Sequence, residues 1–267
     1  MGIDINFTAG LNPLEEYKLS ALIGADNFFY GLYDSTGKLV KSNFLTRLAQ
    51  NDLTTQDGLQ GIMKVEGING LKITRSVIGI DNNKFTFVPF SDYEKTQKEI
   101  YLRNTVEVKD NEEIFVDFKN SICTVFAADK IAFHNITRSF PNPEVVHVQT
   151  AMHNDMSITH RNATLVDINN QGVKVQAIKN GKLLMSNNYD TNENLGILYF
   201  AALAYQKLGL DMKSYPLYLS GNITKENKAY ELLNKYIGEV KFMNPDSIKS
   251  IPGNHRYYTL HCLSKCG

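Results

Sequence analysis

The feature that most constrains this chain is an internal repeat. Gly37-Lys38-Leu39-Val40-Lys41-Ser42-Asn43 returns as Gly181-Lys182-Leu183-Leu184-Met185-Ser186-Asn187, identical at five of seven positions and offset by 144 residues in a chain of 267. Both copies follow a strand-like run and a turn, Asp34-Ser35-Thr36 in the first and Lys179-Asn180 in the second. Glycine at the end of such a turn permits a positive φ and starts a return strand. Each copy therefore reads as the second arm of a β-hairpin. A repeat set in the same local context at half the chain length points to a duplicated unit.

The second half is the more legible. Ala163 to Ile168 reads as a strand, and Val173, Val175 and Ala177 alternate with polar residues, the period of a half-buried strand. Lys182 to Ser186 is the third strand. A helix starts near Thr191, with Leu195, Leu198, Tyr199, Ala202 and Tyr205 at helical spacing and Gly209 at its end. Pro216 to Leu219 is a strand, Thr224 starts a second helix ending near Gly238, and Glu239 to Met243 is a last strand. The order is β-β-β-α-β-α-β.

The first half begins alike, with strands at 18–24, 28–33 and 38–44 and a helix over Thr54 to Met63. Strands follow at 71–80 and 84–88, then a helix from Ser91 to Arg103. An additional ββα-β segment is expected at about 112–150. A polar stretch from Met152 to Asn162 suggests the boundary, giving lobes of 1–155 and 156–267.

Composition removes several function classes. With 43 % hydrophobic residues the chain can build a sizeable core. It carries 28 basic and 28 acidic residues and no run of five like charges, which disfavours nucleic acid and anionic membranes as partners. No stretch approaches a membrane span, so direct membrane insertion is not expected. The start of the chain lacks a basic n-region, and three cysteines, Cys123, Cys262 and Cys266, suit a reducing compartment, so a cytoplasmic location is expected. Cys262 and Cys266 lie near His255 and His261, but their spacing fits no structural zinc pattern, and they read as free thiols on a terminal strand. His134, His147, His153 and His160 are acid/base groups by type, and neither Ser20 nor Ser220 sits in a nucleophile elbow.

The duplicated order is that of the actin-like superfamily: an α/β, ribonuclease H-like fold in two lobes, each with a mixed sheet. More narrowly, Lys84-Phe85-Thr86-Phe87-Val88-Pro89, Val166-Asp167-Ile168, the second repeat copy and Pro216-Leu217-Tyr218-Leu219-Ser220-Gly221 resemble the bacterial family called domain of unknown function 3822. None of these is a catalytic motif. The superfamily resemblance implies two glycine-containing phosphate turns, each beside an Asp that helps hold Mg²⁺, and a third glycine turn for adenosine. The second phosphate turn, expected as Asp-x-Gly-Gly, is Asp167-Ile168-Asn169-Asn170. Asn tolerates a left-handed backbone, but its side chain occupies phosphate space. Asp167 is equally the residue that a hairpin end takes for its own sake. The repeat offset sets Ile23, flanked by Leu22 and Gly24, opposite Asp167, so the first turn lacks its acid; Asp26 lies three positions late. The adenosine turn is Ser220-Gly221-Asn222.

The expected nucleotide-contacting set is thus Asp167, Asn169, Asn170, Gly221 and Asn222, with no catalytic residue and no metal site. Two functions follow. One is a non-catalytic scaffold or interaction protein with a degenerate nucleotide site and no cofactor, binding a protein partner or a second copy of itself. The alternative is an ATP-binding or ATP-hydrolysing protein that uses ATP with Mg²⁺ through divergent turns.

Overall fold

The computed structural model describes residues 6–170 and 172–266. The described residues divide into two compact units, one of 6–151 together with 262–266, the other of Met152–His261.

In the first unit β1 (Phe7–Thr8), β2 (Glu16–Ile23), β3 (Asn27–Tyr33) and β4 (Leu39–Thr46) are followed by α1 (Gln50–Thr54) and α2 (Gln56–Val65). The single helix expected over 54–63 is interrupted because Thr55 is extended and its hydroxyl caps α2 by accepting from Gly58 N. β5 (Lys72–Ile80) leads to β6 (Phe85–Pro89), α3 (Lys98–Arg103), β7 (Glu112–Lys119) and β8 (Ile122–Asp129). Between β6 and α3 the chain makes two 3₁₀ turns, so the helix expected from Ser91 starts only at Lys98. α4 (Lys130–Ser139), capped by Asp129 on Ala132 N, precedes β9 (Pro143–His147) and α5 (Val148–Thr159).

The main sheet runs β1-β4-β3-β2-β5-β9, and β6-β8-β7 form a separate three-stranded sheet. This corrects the position of the additional segment. β9 pairs in parallel with β5, Ile78 opposite Val145, so α4 and β9 complete the main sheet. The inserted part is β6 to β8, antiparallel, with its own core of Val88, Leu102, Ile114, Cys123 and Val125. The reason is local: adjacent antiparallel strands close on one another through turns, whereas β9 needs the crossover helix to lie parallel to β5.

The main core of this unit lies on one sheet face, with Tyr17, Leu19, Ala21, Phe28, Tyr30, Leu32 and Ile78 against Leu53, Leu59 and Met63. All seven residues of β3 are buried, as in a central strand covered on both faces.

The second unit contains β10 (Asn162–Asn169), β11 (Gly172–Lys179), β12 (Lys182–Tyr189), α6 (Asn194–Leu208), β13 (Leu217–Gly221), α7 (Lys228–Tyr236), β14 (Val240–Phe242) and α8 (Tyr258–Ser264), the last ending in the first unit's C-terminal segment. Its sheet order is β12-β11-β10-β13-β14, the same third-second-first-fourth-fifth order as β4-β3-β2-β5-β9. Its core joins Val166, Ile168, Val173, Val175, Leu217 and Leu219 to Ile197, Ala201, Tyr205 and Leu233.

Two expectations near the unit boundary change. Most of the polar stretch from Met152 to Asn162, read as marking the boundary, belongs to helix α5, in which Val148, Ala151, Met152 and Met156 recur at helical spacing and are buried. Cys262 lies on α8 rather than a strand, and Cys266 just beyond it; both are buried, and neither is in a disulfide among the described residues.

The repeat holds at the level of geometry. Gly37 and Gly181 have φ of 79° and 74°. Both copies carry a bulge at the same place: Leu32 and Tyr33 pair with Lys41 and Leu39, skipping Val40, while Ala177 and Ile178 pair with Met185 and Leu183, skipping Leu184.

Candidate functional site

β10 alternates across its sheet. Val166 and Ile168 enter the core of the second unit, which sends Asp167 to the opposite face. On β11, Lys174 is the residue directly opposite Asp167. The ammonium lies 3.9 Å from Asp167 Oδ2, and both side chains are about 95 % buried, with exposures of 4–5 %. On the other side β13 runs parallel to β10 with Ser220 beside Asp167, and Ser220 Oγ donates to Asp167 Oδ1 at 2.7 Å. The carboxylate thus has a protein cation and a hydroxyl donor among its partners.

β13 ends in a tight turn. Gly221 has a φ of 80°, and a Cβ there would lie 3.0 Å from Ile168 N and closer still to Ile168 O. Asn222 N then donates to that same carbonyl at 2.6 Å. Gly221 is required by the approach of two backbones, β13 and β10.

Beyond these strand ends a pocket of about 440 Å³ opens within the second unit. Asn169, Asn170, Asn192, Asn194, Asn222 and Asn227 line it, over an apolar floor that includes Ile168 and Ile197. Of the residues expected at a nucleotide site, Asn169, Asn170 and Asn222 come together here, whereas Asp167 and Gly221 are not part of the lining. The sequence reading missed Asn192, Asn194 and Asn227. The first two precede or begin α6 and the third immediately precedes α7, so only the convergence of two helix starts on one strand end assembles them. Their signal was the run of carboxamides near 187–194, which carries no motif. Asn227 Oδ1 accepts from Thr224 N and Oγ1 at 2.6 and 2.9 Å, and Asn192 Nδ2 donates to Asn170 O at 3.2 Å. Carboxamides offer donors and acceptors without charge. The lining includes no Lys or Arg that would neutralise a triphosphate.

The corresponding hairpin of the first unit carries different chemistry. The β10–β11 ladder closes on Asn169 and Gly172, and Gly24 N donates to Asn27 O at 3.1 Å in the β2–β3 turn. Matching these turns sets the pair Leu22–Phe29 at the place of Asp167–Lys174. The partner of Asp167 by the repeat offset was Ile23; the hairpin moves it one position to Leu22, because the path from hairpin to repeat glycine is one residue longer in the first half. The parallel neighbour there is Gly79 where the second unit has Ser220, and the Leu263 side chain packs within 2.8 Å of the position a Gly79 Cβ would take. A buried charged pair in one unit is matched by an apolar cluster in the other.

A second polar cluster lies elsewhere in the second unit. Tyr258 donates to Asp155 Oδ2 at 2.8 Å, His261 Nε2 is 3.1 Å from Asp155 Oδ1, and Ser247 Oγ is 2.6 Å from His261 Nδ1. Burial pushes the Asp155 carboxyl up, and the bonds from His261 and Tyr258 outweigh it, leaving it below the usual range. His261 is 4 % exposed, so this network ties α5, α8 and the 244–251 loop together inside the unit. Of the other histidines, His147 is fully buried and stacked 4.5 Å from Phe85, and burial lowers His153 to about 4. Among the described residues no group of three or more His, Cys, Asp or Glu could hold a metal ion. Among them, too, no helix is long and apolar enough to cross a membrane.

No curated protein matches the chain. Solved structures do. A protein with actin-like ATPase fold and unknown function from Bacteroides thetaiotaomicron VPI-5482 aligns over 95 % of this chain and 97 % of its own, at TM-score 0.76 and 19 % identity. The ethanolamine utilization protein EutJ from Carboxydothermus hydrogenoformans aligns over 98 % and 93 %, at TM-score 0.57 and 12 % identity. These likenesses establish the actin-like ATPase fold. The family model described as protein of unknown function (DUF3822) matches residues 9–240, and the chain belongs to that family.

Proposed function

We propose that this protein is a non-catalytic actin-like scaffold or interaction protein, built from a duplicated unit, whose nucleotide site is degenerate. The observation that carries this reading is the buried Asp167–Lys174 pair. In the working superfamily pattern an acid at this position faces a hydrated Mg²⁺, and Mg²⁺ keeps several waters when it binds. Here a lysine ammonium holds a place beside that carboxylate in a site almost closed to solvent, and Ser220 donates to it from the next strand. The apolar Leu22–Phe29 pair at the matching position of the first unit and the side chains of Asn169 and Asn170 where glycines are expected support the same reading. On it the protein needs no cofactor, works in the cytoplasm, binds a protein partner or its own copy, and binds no nucleic acid.

Titration calorimetry of the full chain with ATP and Mg²⁺ tests this. No binding heat is expected up to about 1 mM nucleotide; a dissociation constant in the micromolar range that depends on Mg²⁺ contradicts the reading.

One observation favours the alternative of an ATP-binding protein with divergent turns. Asn169, Asn170 and Asn222 line one pocket at the strand ends. On that reading ATP with Mg²⁺ raises Tm by mass action, and Asp167→Ala abolishes the rise. A Tm unmoved by nucleotide in the unaltered protein removes it.

A further inference from the structure

The repeated heptapeptide lies on an edge strand in both sheets, and the two edges are finished differently. In the first unit β1 covers β4: Phe7 pairs with Ser42, Thr8 with Lys41, and Ala9 N donates to Val40 O at 2.7 Å. In the second unit β12 is the last strand of its sheet among the described residues. The two copies differ at only two positions, Val40 against Leu184 and Lys41 against Met185. Lys41 donates to Glu66 O and lies over the Tyr30 ring. Leu184 is 42 % exposed. From Leu183 to Tyr189 the strand carries no charge and no proline.

An edge strand presents a row of backbone donors and acceptors, and proteins guard such edges with lysines, prolines, bulges or a covering segment. β12 has a bulge and, at its first residue only, Lys182; β4 shows that this bulge does not prevent pairing, because Val40 at the bulge accepts from Ala9. The surface next to it is apolar as well. α6 has no charged residue from Asn194 to Gln206, and its Leu195 and Tyr199 are 68 % and 59 % exposed. Phe200, edge-on to Tyr199, stacks 3.9 Å from Tyr189 of β12, so the apolar strip continues from strand to helix.

We propose that β12 is a dimerisation edge: the β12 of a second copy adds to it antiparallel along Leu183–Tyr189, and Leu195 and Tyr199 of both copies flank the joined sheets. The occupant follows from the charge pattern. In a two-fold antiparallel pair the residues near the axis face their own counterparts, so any charge there meets a like charge, which is unfavourable across strands. The copy of the motif that is covered within its own chain keeps Lys41; the other copy has Met185 in its place, and beyond Lys182 at its start it carries no charge from Leu183 to Tyr189. This inference rests on the interaction reading above but not on the state of the nucleotide turns.

Sedimentation equilibrium of the full-length chain tests it. Twice the chain mass is expected at chain concentrations of about 100 µM, and Leu184→Lys/Met185→Lys should weaken the dimer by roughly 10-fold or more through apposed like charges. Met185 packs against the core of its own unit, so the double variant should also unfold at a lower midpoint; Leu184→Lys alone, at an exposed position, should weaken the dimer while the midpoint of the dissociated variant matches that of dissociated parent. If the double variant does not fold, Leu184→Lys alone, at the already exposed bulge, gives the same readout. A monomer at that concentration overturns the proposal. So does a dimer indifferent to these lysines, or a chain that stays monomeric and instead takes a strand from another protein. ATP binding by an intact dimer would strike down only the degenerate-site reading; a monomer that binds no nucleotide would strike down only this one.

Discussion

Replacing Asp167 by Asn should destabilise the second unit by about 3–5 kcal/mol, the effect of removing one partner from a buried ion pair. The substitution preserves shape and an oxygen able to accept from Ser220, so the loss isolates charge. It takes away the carboxylate that faces a lysine ammonium in a site closed to water. Asp167→Asn/Lys174→Met, which also removes the cation at similar volume, should recover most of that loss and fall within about 1.5 kcal/mol of the parent, since volume-conserving apolar replacements are tolerated and buried pairs are often no more stable than apolar ones. The first unit shows that this hairpin accepts an apolar pair, Leu22 and Phe29, at the same place. Urea unfolding of the four proteins of the cycle measures the coupling. An Asp167→Asn variant as stable as the parent would mean that the carboxylate is not held by the lysine. The degenerate-site reading would then lose its main support.

Gly221→Ala should cost about 3 kcal/mol or more, from a strained backbone plus a displaced strand, and lower Tm by about 10 °C. Its φ of 80° is one part of this; the other is contact between the new Cβ and the Ile168 backbone of the neighbouring strand. Gly209→Ala separates the two. Gly209 also has a positive φ, 61°, but nothing lies within 4 Å of the position its Cβ would take. That variant should lose only about 1 kcal/mol, the cost of a left-handed non-glycine residue. Equal losses at both positions would show that the β10–β13 approach is looser than described. Gly221 therefore answers to the sheet before it answers to any ligand.

These two residues show how sequence and structure share the account. The repeat glycines, the alternation of Val173, Val175 and Ala177 and the helix ending at Gly209 are local signals, and each was legible because turn chemistry and side-chain period act over a few residues. The seven-element order β-β-β-α-β-α-β of the second unit follows from them directly. The three-stranded insert was misplaced because the two strands that open the 112–150 segment pair with β6, which lies more than 30 residues before its partner β8 in the chain. The helix across Met152 and Met156 was hidden by polar residues that are buried within the fold: Gln149, His153, Asn154 and Asp155 are all less than 10 % exposed.

The sequence by itself determined the repeated heptapeptide with its two turn glycines and the mixed α/β order, because these depend on residue type and short spacing. Only the tertiary structure decided what became of the residues left at those turns. Lys174 reads in the sequence as the polar member of an alternating strand; strand register set it against Asp167 and burial made the pair consequential. Six asparagines from two strand ends and two helix starts form one pocket because the crossovers return to the same edge of the sheet. Two near-identical heptapeptides became an edge covered by β1 and an edge that is the last of its sheet among the described residues. In each case the deciding term is a contact between segments far apart in the chain, which spacing along the sequence does not encode.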